Sequence, residues 1–105
     1  MNTVIRNWCI VSVFDGDILI RKVLWGYVID DSSCRFFKDD FVCTSNIIRI
    51  NTTNELITTQ SGSLYQVLDK GSAFKLDIEE FELLRIGFSP SQIEALRISS
   101  GFLKH

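Results

Sequence analysis

Residues Phe88 to Leu96, FSPSQIEAL, carry the plainest structural signal in the chain. Ser89 suits a helix cap, and Pro90 fits the first helical position because the amide it lacks needs no partner there. Gln92, three residues after the cap, can answer Ser89 reciprocally. Ile93 and Leu96 then fall on one face. Just upstream the same signature occurs again: Asp77 and Glu80 form a cap pair, Ile78, Phe81 and Leu84 or Arg85 follow at helical spacing, and Gly87 supplies a stop. The spacing predicts two short helices, about residues 77–86 and 90–99. Helices of this length are marginal alone in water, so their apolar sides, Phe81, Leu84, Ile93, Leu96 and Phe102, must lie on something.

What precedes them is β-like. Residues 4–14, VIRNWCIVSVF, are rich in branched and aromatic side chains and end in the turn-forming Asp15–Gly16–Asp17. Residues 18–29, ILIRKVLWGYVI, continue as a long strand or a bent pair, with Gly26 marking a bulge or close backbone approach. After a turn at Asp30–Ser33, Phe41, Cys43 and Ser45 alternate with Val42 and Thr44, and a register change is expected near Asn46. A turn at residues 51–55 and the run LITTQSGSLYQVL add one or two more strands. Close spacing with short connections favours antiparallel neighbours over parallel ones joined by helical crossovers. The expected fold is therefore α+β: a curled antiparallel sheet or small SH3-like barrel of five to six strands over about residues 4–68, followed by two short C-terminal helices.

The 105 residues suit one domain spanning 1–105, because two separate cores of half that size would be hard to stabilise. Nearly half the composition, 46%, is hydrophobic, enough to fill one core. Eleven basic residues against thirteen acidic ones, with a pI of about 5.3, argue against broad capture of nucleic acid. The acids come in pairs and runs, among them Asp30–Asp31 and Asp39–Asp40. The three cysteines, Cys9, Cys34 and Cys43, are an odd number without close spacing, and Cys9 and Cys43 sit in apolar runs, which favours a reducing compartment. With neither a signal-peptide pattern at the start nor an apolar run of membrane-spanning length, a cytoplasmic location and no membrane partner are expected.

No reactive constellation assembles from these residues. His105, the one histidine, is the last residue and a poor support for acid–base work. The cysteines lack metal-ligand spacing, the tandem aspartates fall at turns, and no calcium loop accompanies Asp15 and Asp17. Thr58–Ser63, TTQSGS, lacks the lysine and following helix of a phosphate loop, and its serines lack a histidine base. The expectation is a protein that is not an enzyme and uses no cofactor or metal. Trp8, Trp25 and Tyr27 read as core or rim aromatics, and Arg21, Lys22, Arg35 and Lys38 as a small basic patch bracketed by aspartates.

Two resemblances bear on function. Through Leu83–Leu84–Arg85, Gly87–Phe88–Ser89, Gln92–Ile93, Ile98–Ser99 and Leu103–Lys104–His105, the tail Glu79–His105 resembles the helix-turn-helix of bacterial response and quorum-sensing regulators. That implies sequence-selective DNA binding, with Ser99–Lys104 opening the recognition helix and Arg97 and Lys104 as the candidate contacts. Residues 25–65, through Trp25–Gly26–x–Val28, Arg35–Phe36, Asp40–x–Val42–x–Thr44–Ser45 and Ser61–Gly62–Ser63–x–Tyr65, resemble small uncharacterised β-rich domains of bacteria and their prophages. That implies a β-rich module of bacterial or phage origin without selecting an activity.

Together these readings favour a non-catalytic protein-binding module, such as an inhibitor, an immunity protein or a phage accessory factor. It would meet a partner with a basic face through an acidic and aromatic surface, Trp25, Tyr27, Asp30, Asp31, Asp39 and Asp40. The alternative is a DNA-binding transcriptional regulator using the C-terminal helices.

Overall fold

The long hairpin is the frame on which everything else is laid. In a computed structural model, which describes residues 2–31 and 40–100, β1 (Asn2–Asp15) and β2 (Ile18–Asp31) pair antiparallel across a two-residue turn. Gly16 has φ 64°, the sign that favours glycine in tight hairpin turns. The remaining elements are β3 (Phe41–Cys43), β4 (Ile47–Asn51), β5 (Leu56–Thr59), β6 (Leu64–Val67), β7 (Ser72–Asp77), α1 (Ile78–Arg85) and α2 (Pro90–Ser100). Cys34, Arg35, Lys38, Asp39, Phe102, Lys104 and His105 lie outside the described residues.

The class is α+β, with two short C-terminal helices as expected, but the sheet is mixed rather than wholly antiparallel. Its order is β3-β2-β1-β6-β5-β4, with β7 also paired to β1. Both β6 and β7 run parallel to β1, β6 along Asn2–Ile5 and β7 along Cys9–Phe14. The crossover that parallel pairing requires is made here by strands β2 to β5 and not by a helix. Among the described residues six strands fall within residues 2–67, in keeping with the five to six expected there, and a further strand follows where none was expected, because Phe74 and Leu76 alternate inward on a strand that begins only after Gly71. The ends of the order, β3 and β4, are joined through Thr44–Asn46 but not paired with each other among the described residues, so the sheet is open; of the two forms expected, a curled sheet or a small barrel, barrel closure is not seen.

An irregularity in β1 explains how β6 and β7 share one side of it. Arg6 pairs with Tyr27 and Cys9 with Trp25, so Asn7 and Trp8 together stand opposite Gly26 alone. Asn7 takes φ 50°. This bulge sits where a close approach was expected at Gly26: a side chain there would meet Ile5 Cδ1 at 3.1 Å and Trp8 Cβ at 3.2 Å. On the partner side the chain kinks at Asp69–Gly71, between β6 and β7. Trp8 donates from Nε1 to the Leu68 carbonyl at 2.8 Å, and its ring lies against Gly71.

The bulge divides the interior between the two faces. Ile5, Leu24, Val28, Val42, Ile57, Tyr65 and Val67 pack on one. Cys9, Val11, Val13, Val23, Trp25 and Leu76 pack on the other, where Leu84 of α1 and Ile93 of α2 cover them. Both helix starts match the sequence. Asp77 accepts from the amides of Glu79 and Glu80 while Glu80 accepts from the Asp77 amide; Ser89 and Gln92 exchange bonds of 3.1 and 2.8 Å. α1 ends with Gly87 at φ 122°, the Phe88 amide donating to the Leu83 carbonyl and that of Gly87 to Leu84. These two bonds satisfy carbonyls that a helix end otherwise leaves open. FSPSQIEAL is thus a buttress over the sheet.

Candidate functional site

Register brings most of the expected aromatic and acidic residues to one end of the hairpin. Tyr27 pairs with Phe41, the Val28 amide donates to the Asp40 carbonyl at 2.8 Å, and Asp30 and Asp31 follow on β2. Asp30 and Asp40 are exposed, and Asp31 accepts from the Thr3 hydroxyl at 2.7 Å. Arg6 lies over the Tyr27 ring at 5.6 Å. Asp39 falls outside the described residues. Phe41, half exposed, is the member that sequence reasoning missed, since its place beside Tyr27 depends on a register that alternation alone does not reveal.

Trp25 is not on that surface. It is 5% exposed, stands edge-on to Tyr27 at 5.0 Å and stacks on Phe41 at 6.2 Å, forming a floor beneath them. Its Nε1–H is buried without an acceptor among the described residues, a defect that typically costs about 1–3 kcal/mol. A cleft of about 310 Å³ opens above it, between Asn7 and Tyr27 on the sheet and Ser89–Ser91 at the start of α2.

The proposed DNA contact is engaged elsewhere. Arg97 donates from Nε and Nη2 to the two Glu80 oxygens at 2.6 and 2.7 Å and from Nη2 to the Lys75 carbonyl at 2.7 Å, with its guanidinium 5.1 Å from the Phe74 ring centre. It ties α2 to α1 and β7. α2 runs unbroken through Ser99, where the helix-turn-helix resemblance would open a recognition helix. Lys104 lies outside the described residues.

Other groups that could carry chemistry are also occupied. TTQSGS forms the β5–β6 turn, with Gly62 at φ 90° and Ser61 bonded to Ser45. Among the described residues, no group of three or more His, Cys, Asp or Glu side chains gathers as a metal site. Cys9 and Cys43 each pair with Trp25 from opposite sides, which sets them two strand spacings apart, about 10 Å, beyond disulfide reach. Burial pushes both thiols up to about 11; the neighbouring Cys43 adds to this for Cys9, whereas the charge of Arg85 works against it for Cys43. In a Cys34→Ser background, iodoacetamide at pH 7.5 is therefore expected to modify Cys9 and Cys43 at least about a hundredfold more slowly than in urea, checked by intact mass. Rapid labelling of the folded protein would contradict the burial.

The opposite end of the hairpin is the apolar anomaly of the surface. Ile18, Leu19 and Ile20 are 70%, 46% and 37% exposed. Ile18 and Leu19 are paired with Asp15 and Phe14 and point to opposite faces, and Ile20 falls at a register shift before Arg21, so the tip exposes apolar side chains on both sides. Ile78, also exposed, follows Asp77, which pairs with Phe14 beside this tip. Exposed carboxylates of Asp15, Asp17, Asp77 and Glu79 surround these aliphatics.

Comparison with protein-family models, curated proteins and solved structures returns no match to the chain. No helix among the described residues is long and apolar enough to cross a membrane.

Proposed function

We propose that this chain is a non-catalytic protein-binding module, of the inhibitor, immunity-protein or phage-accessory kind, whose principal contact is the β1–β2 hairpin end. The observation that carries this reading is the run Ile18–Leu19–Ile20, three exposed aliphatic side chains next to the hairpin turn, Ile18 and Leu19 paired with Asp15 and Phe14 and Ile20 at a register shift between them and Arg21. Exposed aliphatic side chains gathered at the end of an ordered element mark interaction sites in soluble proteins. The surrounding aspartates favour a partner with basic residues around an apolar centre. They also disfavour a second copy of the chain, which would bring like charges together. The acidic and aromatic end, with Tyr27, Phe41, Asp30 and Asp40, offers a second area to the same partner. Because Trp25 lies beneath it, that area is centred on Tyr27 and Phe41. A cytoplasmic setting belongs to the same proposal, supported by the free thiols of Cys9 and Cys43.

A photoreactive phenylalanine derivative in place of Leu19, introduced in the native host, is expected to give one discrete protein adduct. The same group at the exposed Lys70 should give none. Charge reversal at Asp15 and Asp17 is expected to reduce the Leu19 adduct severalfold. Equal capture from both positions, or none from Leu19, would remove the hairpin end as the contact.

A further inference from the structure

Between α1 and the junction of β3 with β4 lies a cleft of about 330 Å³, lined by Arg21, Cys43, Thr44, Ser45, Phe81 and Arg85. Two guanidinium groups of the lining share one ring: Arg21 and Arg85 each stand 5.9 Å from the Phe81 centroid. Arg21 makes no ion pair or hydrogen bond from its guanidinium with any described residue. Among the described residues Arg85 is paired only with Glu82, at 3.4 Å, with both side chains more than half exposed, a contact that contributes little and exchanges easily. None of the described lining residues is a carboxylate, so among the described residues the cleft carries two positive charges with no opposing charge in its lining.

The hydroxyls beside them are already engaged. Thr44 Oγ1 accepts from the Leu24 amide and donates to the Ser45 carbonyl, while Ser45 Oγ bonds to Ser61. The free hydrogen-bonding capacity is therefore that of the arginines, whose planar arrays of N–H donors match tetrahedral and planar oxyanions. Contact with the Phe81 ring limits the freedom of both guanidiniums and so lowers the entropy lost when they close on a ligand.

We propose that this cleft binds a phosphate monoester, its dianionic phosphoryl group bridging Arg21 and Arg85. A double negative charge balances the two guanidiniums, which a single carboxylate does not. The volume also leaves room for the ester's organic part. This site adjoins the hairpin end, since Arg21 follows Ile20 on β2, but its phosphate affinity is read on the isolated chain and so does not depend on whether that end binds a protein.

Phenyl phosphate, inorganic phosphate and acetate are the probes, titrated into the full chain while the Arg21, Arg85 and Phe81 side-chain resonances are followed by NMR. Phenyl phosphate is expected to give saturable shifts at all three residues, with inorganic phosphate weaker and acetate weaker still. Arg21→Gln and Arg85→Gln should each lower the phenyl phosphate affinity about tenfold, and Arg49→Gln, on β4, should leave it unchanged. Affinity should also fall as pH drops through about 6, the ester's second pKa, where the dianion takes up one proton and becomes a monoanion. Amide spectra of each variant establish that it is folded. Absence of saturable shifts, equal affinity in the two cleft variants and the parent, or acetate binding as tightly as phenyl phosphate would each overturn the assignment.

Discussion

Replacing Gly71 with alanine is expected to lower the unfolding free energy by about 2–4 kcal/mol, although the change adds one methyl group at a partly exposed loop position. Gly71 is needed here for close approach. A Cβ at this position would stand 2.4 Å from two atoms of the Trp8 ring and 2.5 Å from a third. The ring has little room to retreat, because its Nε1–H is bonded to the Leu68 carbonyl and its body packs against the core formed by Ile5, Ile57 and Val67. Either the ring leaves its place and the hydrogen bond is lost, or the kink between β6 and β7 shifts and disturbs their parallel pairing with β1. Urea unfolding followed by tryptophan fluorescence measures the loss. Trp8→Leu in the same chain should recover part of it, since the smaller side chain removes the collision. A Gly71→Ala protein as stable as its parent would show that Trp8 does not cover this backbone.

The second large effect is expected at Glu80. One carboxylate completes the cap of α1 by accepting from the Asp77 amide at 3.1 Å and also receives both arms of Arg97. The Glu80 and Arg97 side chains are only 12% and 21% exposed, so the pair is shielded in a way surface ion pairs are not. Glu80→Ala removes the cap partner and leaves a largely buried guanidinium without its counter-charge, and a loss of about 3 kcal/mol is expected. The hydrogen bonds from Arg97, aided by the Asp77 amide and opposed by burial, hold the Glu80 carboxyl below its ordinary value. A carboxyl whose folded pKa is depressed contributes stability that is complete above its unfolded pKa, about 4.3, and is lost as pH falls through the folded value. Arg97, raised by the same bonds, stays protonated throughout. Urea midpoints measured from pH 7 to pH 3 should therefore fall more steeply for the parent than for Glu80→Gln, and the two curves should converge at the acid end. Parallel curves would mean the carboxylate is not held as described.

Local chemistry made parts of this architecture legible. Caps at Asp77 and Ser89, the stop at Gly87 and the irregularity opposite Gly26 depend on neighbours a few residues away or on one residue's backbone freedom. The hairpin turn at Gly16 was readable for the same reason. Strand direction was not, because alternation along β6 or β7 is the same whether a neighbour runs parallel or antiparallel. β7 escaped notice because its inward residues, Phe74 and Leu76, are too few to set a period before Asp77 starts the helix. The candidate sites suffered from this gap. Trp25 and Tyr27 share a strand face, yet the α1–α2 layer covers one far more than the other. Arg97 reads from the sequence as an exposed cation, and only the packing of α2 on α1 reveals its partner. The Arg21–Phe81–Arg85 cleft joins residues some sixty positions apart and had no local signature.

The placement of β6 and β7 along β1 also sets an order of events. The first strand obtains its second neighbour only when segments about sixty residues later arrive. During synthesis the β1–β2 ribbon can zip locally, but one flank stays bare until Leu64–Asp77 have emerged, exposing unpaired backbone in the nascent chain. Such distant pairings slow folding and lengthen the interval in which a chaperone, or another nascent copy, can occupy that flank.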